Sequence, residues 1–331
     1  TAVIGLGVGA HQARTLYNHP NCQLVWLCDL NKNKLSELGS ELTEAKQTQN
    51  EQDVLTDPNI DMVCVASYDE AHHRQVVKAL NHGKHVYVEK PICLTKNEAQ
   101  NIRLTLKAYP HLRISSNMVL RTCPLFIKVR ETIKSKKIGK VYHLEADYFW
   151  GRKEKIISGW RAEADLYSII HGAAVHMVDL AMWIIGKKPV TVQALGNHIA
   201  TAGSLQQHND FAVLLLGFED HMSVKVSAHG GCTHPHFHSL KVFGKNSSFI
   251  HESTGTVWIG SSNPNQTYRS ESEAYPAKTE RSGALISFLD SLSNFDKNAL
   301  ISDEEVFNTM SVCLAAEQAV KTGRVINIEY L

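Results

Sequence analysis

The sequence predicts an α/β domain built on a parallel sheet, followed by an α+β domain with a large, mainly antiparallel open sheet. Three observations carry this. Short apolar runs alternate with helical stretches through the first third, the order that joins parallel strands by crossovers. The first apolar run ends in a glycine-rich turn. Beyond Pro189 strand follows strand, until two helices close the chain. A chain of 331 residues holds two domains of ordinary size, read here as 1–120 and 121–331.

Composition narrows the classes. Hydrophobic residues are 43% and charged residues 20%, as in globular proteins. A net charge of +1 gives no global field toward nucleic acid or anionic lipid, so neither is an expected partner. Seven cysteines, an odd number without a CxxC pair, fit a reducing compartment, and the expected location is cytoplasmic. No apolar run approaches the roughly 20 residues of a membrane helix. Thr1–Ile4 already reads as strand, which leaves open whether a leader or a few residues precede it.

The first strand, from Val3, runs into Gly5-Leu6-Gly7-Val8-Gly9-Ala10, a G-x-G-x-x-A turn. Gly5 permits the tight turn, Gly7 lets backbone approach a pyrophosphate, and Ala10 allows close packing of the next helix, whose N–H groups face the phosphates. The second strand, Gln23–Cys28, delivers Asp29 at its end. An acid there accepts hydrogen bonds from an adenosine ribose and repels a 2′-phosphate, favouring NAD over NADP. The alternative is that Asp29 only caps the helix starting near Asn31. A polar stretch follows, then strands at 61–66, 85–89 and 112–119, with helices at 70–81 and 95–109 between them. Val86-Tyr87-Val88 ends in Glu89-Lys90-Pro91, because proline donates nothing to a ladder. Such a strand places Lys90 at the carboxyl edge of the sheet, where open α/β folds bind ligands.

These residues together resemble the Gfo/Idh/MocA family, the relatives of glucose–fructose oxidoreductase and inositol dehydrogenase. The resemblance rests on Gly5, Gly7 and Asp29, on Ala66-Ser67-Tyr68-Asp69-Glu70-Ala71-His72, on Gly83-Lys84-His85-Val86 leading into Glu89-Lys90-Pro91, and on Asn117, Arg121 and Pro124. Tyr68 stands where proline is usual. The resemblance implies a Rossmann domain binding NAD through residues 5–10 (Gly5, Leu6, Gly7, Val8, Gly9, Ala10), Asp29, Ser67, Asp69, His72, Glu89, Lys90 and Asn117. It also implies a cis Lys90–Pro91 peptide, and Lys90 beside the nicotinamide and the reacting carbon of a sugar or cyclitol.

In the second domain a helix runs from Pro124 to about Lys136, and Val141–Trp150 alternates like an antiparallel strand with one wet face. Gly159-Trp160-Arg161 resembles a family turn near the cofactor, which adds Arg161 to the cofactor-binding set. The other reading is an aromatic anchor with a surface arginine. Ile169–Gly186 reads as one helix with a glycine cap, and Gly172, His176, Asp179 and Trp183 share a face. The family usually carries D-x-G-x-H-x-x-D on this helix, and here Gly172 replaces the first aspartate. His171 offers a partial substitute about 100° around the helix. By resemblance Lys90 polarises the hydroxyl, His176 is the general base, and Asp179 completes the catalytic set or orients the helix.

Strands are expected at 190–195, 210–218, 221–229, 237–243 and 248–251, with helices near 284–292 and 304–321 and a final strand at 325–328. His234, His236 and His238 alternate and could bind Zn²⁺ with His229, although the favoured expectation is no metal. By resemblance the open sheet mediates a homodimer or homotetramer. The expected activity is NAD-dependent hydride transfer at a carbinol of a sugar, cyclitol or nucleotide-sugar derivative. A non-catalytic NAD-binding regulator and an NAD-dependent glycosidase of the same fold stay open.

Overall fold

The computed structural model describes residues 1–260, 267–269, 274–276, 279–294 and 296–331. Two compact units emerge. The first comprises residues 1–119 with 279–307 and Leu331, the second 120–278 and 308–330.

The first unit is a parallel sheet of β1 (Ala2–Ile4), β2 (Trp26–Cys28), β3 (Lys46–Thr48), β4 (Met62–Val65), β5 (His85–Val88) and β6 (Ile114–Ser116), in the order β3-β2-β1-β4-β5-β6. β1, β4 and most of β5 are buried throughout, which is why they read as continuous apolar runs. The crossovers are α1 (Gly9–Tyr17), α2 (Lys32–Glu41), α3 (Glu51–Leu55), α4 (Asp69–Asn81) and α5 (Lys96–Ala108). Strand order reverses between β1 and β4, the switch point of doubly wound sheets. β3 and α3 fall in the stretch read only as polar, since Lys46-Gln47-Thr48 is a short edge strand without apolar alternation. Thr95 and Glu98 form the reciprocal capping box that starts α5. The Lys90–Pro91 peptide is cis.

The second unit holds α6 (Pro124–Lys134), β7 (Val141–Phe149), α7 (Glu154–Ile157), α8 (Trp160–Glu163) and α9 (Val175–Ile185). Its sheet continues with β8 (Thr191–Asn197), β9 (Phe211–Gly217), β10 (Ser223–His229), β11 (Phe237–Gly244), β12 (Ser247–Glu252), β13 (Gly255–Gly260), β14 (Thr267–Arg269) and β15 (Ile326–Asn327). The nine strands lie in the order β14-β13-β12-β11-β7-β10-β9-β8-β15. β7 corrects the simple antiparallel expectation: it is antiparallel to β11 and parallel to β10, which returns only after a long crossover through α9. β13 and β14 were not foreseen in the sequence. The expected helix 169–186 also changes character. It opens with a wide π-turn over Ile170–Ala174 before α9, and ends as expected with Gly186 at φ 72°.

The single boundary at residue 120 is corrected at the C-terminal end. Residues 279–307, including helix α10 (Gly283–Ser293), belong with the first unit, where Phe288 packs on Tyr87 with ring centroids 5.9 Å apart. The last long helix, α11 (Asp303–Thr322), contributes its residues from Asn308 onward to the second.

Candidate functional site

The glycine turn is shaped by what surrounds it. Gly5 has φ +89°, and a side chain there would lie 2.3 Å from the carbonyl oxygen of Ala66. Gly7 is exposed, and a Cβ there would meet only the Lys34 ammonium at 4.0 Å, so an anion can approach the backbone. Close packing falls to Gly9 instead of Ala10: a Cβ on Gly9 would sit 3.0 Å from both Ala66 and Val3, whereas Ala10 is half-buried. Leu6 is buried and Val8 is exposed. α1 begins at Gly9, so its first N–H groups open at this turn.

Asp29 is bound into the same turn. Its Oδ2 accepts the Leu6 N–H at 2.6 Å and its Oδ1 accepts the Asn31 N–H at 2.8 Å. The cap of α2 is Asn31, whose side chain accepts from Asn33 and Lys34. That answers the alternative reading of Asp29 as the helix cap. The Lys34 ammonium stands 4.0 Å from Asp29 Oδ2. This basic neighbour was absent from the sequence reading.

At the ends of β5 and β6 a buried polar network gathers. Glu89 Oε1 accepts from the Gln12 and Asn117 side-chain amides, each at 2.7 Å, and Asn117 Oδ1 accepts from the Tyr87 hydroxyl at 3.0 Å. Burial raises the Glu89 carboxyl above its ordinary range, partly opposed by the Lys90 charge and the Asn117 hydrogen bond. Gln12 sits on the buried face of α1 with Gly9, Ala13 and Leu16. A polar residue at an apolar-face position was the signal that could have found it. Lys90 and Asn117 are half-buried at this edge.

His72 takes a different place from the one expected. It is 0% exposed, and its ring nitrogens face the carbonyls of Pro91 at 2.6 Å and Ser67 at 3.1 Å. It clamps two loops together beneath the site instead of lining the cofactor. Ser67 donates to Gln75 Oε1 at 2.6 Å, and Asp69 is half-buried as the first residue of α4.

In the second unit His176 is buried on α9, its ring stacked against Tyr148 of β7 at 6.0 Å and 19°. Tyr148 also meets His238 at 4.5 Å and His236 at 5.4 Å, and His238 Nδ1 lies 2.8 Å from the Tyr275 hydroxyl. Asp179 is corrected from the catalytic set. It is 1% exposed and forms a bidentate pair with the 2% exposed Arg121, Nε–Oδ2 2.9 Å and Nη2–Oδ1 2.7 Å, with Thr309 at 3.3 Å. Its carboxylate fixes α9 from inside. Arg161 follows the aromatic-anchor reading: its guanidinium lies over the rings of Trp160, 4.3 Å, and Trp150, 5.5 Å.

The three alternating histidines do not all share a face. His234 and His229 stack on Phe149, at 4.5 and 4.9 Å, while His236 and His238 meet Tyr148. Tyr148 and Phe149 are consecutive residues of β7 and point to opposite faces. β11 begins only at Phe237, so His234 precedes the strand that would have kept the three in register. Among the described residues no group of three or more His, Cys, Asp or Glu could hold a metal ion. No described helix is long and apolar enough to cross a membrane.

The family description "Oxidoreductase family, NAD-binding Rossmann fold" matches residues 1–112, and "GFO/IDH/MocA C-terminal domain" matches 126–250. A scyllo-inositol 2-dehydrogenase (NAD(+)) of Bacillus subtilis is 24% identical, covering 78% of this chain and 73% of its own. A myo-inositol 2-dehydrogenase of Thermotoga maritima is 29% identical, covering 66% and 64%. Across the leading curated relatives the matched part spans 51% to 73% of their length. Among solved structures, scyllo-inositol dehydrogenase from Lactobacillus casei with NAD(H) and scyllo-inositol superposes with a TM-score of 0.78 at 18% identity, covering 98% of each chain. That likeness establishes the fold.

Proposed function

The chain belongs to the Gfo/Idh/MocA oxidoreductase family, and from that premise we propose that it is an NAD-dependent dehydrogenase of a cyclitol or sugar carbinol. The observation that carries the reading is the carboxyl edge of the first sheet. There an open glycine turn, an Asp29 carboxylate held against it and Lys90 at the end of β5 flank the switch point. The open backbone at Gly7 fits a pyrophosphate, and Asp29 keeps acceptor capacity for a ribose. Bound nicotinamide would supply the hydride acceptor. Lys90 holds and polarises the carbinol oxygen, and His176 takes the hydroxyl proton. Glu89, Gln12 and Asn117 brace the strand end that carries Lys90.

Inositols are the substrates named for the relatives, and they are the first alcohols to test here. A second copy of this chain, in a homodimer or homotetramer, is the proposed partner for the outer sheet face. There Leu195 and Leu215 are exposed beside a ladder of Glu145, Lys225, Lys241 and Glu252. An odd number of cysteines without a CxxC pair supports a reducing, cytoplasmic setting.

The test is NADH formation with myo-inositol, scyllo-inositol and a panel of sugars. Lys90→Ala and His176→Ala should each lower turnover by about 10²–10⁴-fold, with NADH binding near wild type. Firm NADH binding without turnover on any polyol would favour the regulator instead, a reading that the side-chain-free Gly172 supports.

A further inference from the structure

Trp150 continues the period of β7, so its ring falls on the same sheet face as Tyr148, and the two meet edge-on at 5.8 Å. Tyr148 is the ring against which His176 stacks, and it also meets His236 at 5.4 Å. Gly151, at φ +62°, then turns the chain sharply, and a Cβ there would lie 2.3 Å from the His236 backbone nitrogen. Two arginines of the segment that follows come back over Trp150. The Arg152 guanidinium lies 5.7 Å from its ring centre and that of Arg161 5.5 Å.

Neither cation is matched by an acid. Arg152 donates to His236 Nδ1 at 2.9 Å and to the Trp150 carbonyl at 3.4 Å. Arg161 is half-buried over the rings of Trp160, 4.3 Å, and Trp150, and among the described residues its guanidinium makes no hydrogen bond or ion pair. Glu154, Glu163 and Asp165, close by in sequence, are exposed and pair with neither arginine. The Trp150 indole N–H also has no partner among the described residues, on a residue only 6% exposed.

A stacked guanidinium gives its faces to the rings and keeps its edge. Its five N–H donors lie in one plane, in the fork that matches a carboxylate or phosphate. Stacking orients that fork before a ligand arrives, which lowers the entropy cost of binding. Two cations and an indole donor thus gather without an acid, and Tyr148 is the ring between them and His176.

We propose that Arg161, with Arg152, forms an anion subsite for the substrate, and that the polyol oxidised here carries a carboxylate or a phosphate. The inference names the substrate class within the dehydrogenase reading, and rests on that reading for placing the reacting carbon at His176.

The test is calorimetric titration of the NAD-loaded protein with matched neutral and anionic compounds, alongside NADH formation from each. Glucose is paired with glucuronate and glucose 6-phosphate, and myo-inositol with its 1-phosphate. An anionic member should bind about ten- to hundredfold more tightly than its neutral parent, the scale of hydrogen bonds to a charged group. The gain should shrink as salt rises. A gain for glucuronate marks a sugar acid, and gains confined to the phosphates mark a sugar or cyclitol phosphate. Arg161→Gln should remove most of the gain, with a several-fold smaller loss for the neutral parents. Arg161→Lys keeps the charge without the fork and should retain part of it. Equal affinity of the wild type for neutral and anionic members, or a gain that survives Arg161→Gln, would overturn the proposal. So would an equally large loss of NADH affinity in Arg161→Gln, which would assign the guanidinium to the cofactor. Anion preference without NADH formation from any polyol would remove the dehydrogenase reading and leave the subsite. Turnover of neutral polyols without anion preference would remove the subsite alone.

Discussion

Arg121 and Asp179 face each other through two hydrogen bonds, 2.9 and 2.7 Å, with both side chains almost wholly buried. Desolvating two charges costs several kcal/mol each, and the bidentate geometry with the Thr309 contact offsets that cost. Removing one partner strands the other.

Asp179→Asn should therefore destabilise the protein by about 3–5 kcal/mol in urea unfolding. Arg121→Met with Asp179→Leu should recover most of that loss. At a temperature where the variant is folded, its turnover should stay within about tenfold of wild type, well short of the loss expected for a proton-handling residue. A loss as large as that of His176→Ala, without lowered stability, would return Asp179 to the catalytic set.

That correction shows where sequence reading ran out. Period and spacing placed β1, β5, α9 and the glycine turn, because backbone geometry and apolar burial write themselves into the order of residues. Asp29 and Lys90 followed, since strand ends in an α/β sheet point to one edge. What a polar side chain does once buried depends on partners far along the chain. His72 and Asp179 matched motifs, yet the loops beneath His72 and the Arg121 opposite Asp179 turn both into braces. Lys34 belongs to no motif, and it matters only through Gly7 and Asp29, which folding brings near it. The return of residues 279–307 to the first unit was invisible for the same reason.

Glu89 offers a stability test with a definite sign. Burial raises its carboxyl, so the folded state binds a proton more readily than the unfolded chain does. Its favourable contribution is complete below the ordinary carboxylate range and is lost as pH rises through the raised folded value. Glu89→Gln keeps an oxygen to accept from Gln12 and Asn117. The variant should melt a few degrees above wild type at pH 8, with a smaller gap at pH 5. A gap that widens toward acid would contradict the assignment.

His251 gives the opposite slope. Burial among Tyr275, Phe237 and Phe126, at 4.6, 4.9 and 6.1 Å, pushes its imidazole down to about 4 from 6.5. Between those values the unfolded chain carries a proton that the folded protein refuses, so stability is full above pH 6.5 and falls toward pH 4. The loss over that window is about 3 kcal/mol. His251→Gln does not titrate, so its unfolding free energy should decline by that much less between pH 7.5 and pH 4. Parallel pH curves for the two proteins would place the acid sensitivity elsewhere.

Two opposed charges at the glycine turn give an expected cofactor choice. The Asp29 carboxylate repels a 2′-phosphate, but the half-exposed Lys34 ammonium, 4.0 Å away, offsets part of that field. The preference for NADH over NADPH should therefore be narrower than a lone carboxylate would give. Lys34→Ala removes the offset. It should weaken NADPH by about fivefold more than NADH, the scale of one charge pair near 4 Å in water. Asp29→Asn keeps an oxygen for the Leu6 N–H and removes the negative charge, so it should move the ratio the other way and bring NADPH close to NADH. Asp29→Ala should also narrow the ratio while weakening both cofactors, because the turn loses its anchor. Fluorescence titrations of both nucleotides at two salt concentrations check the reading, since charge effects of this kind shrink as salt rises. Equal affinity of the wild type for NADH and NADPH, unchanged in Asp29→Asn, would remove Asp29 from the ribose site.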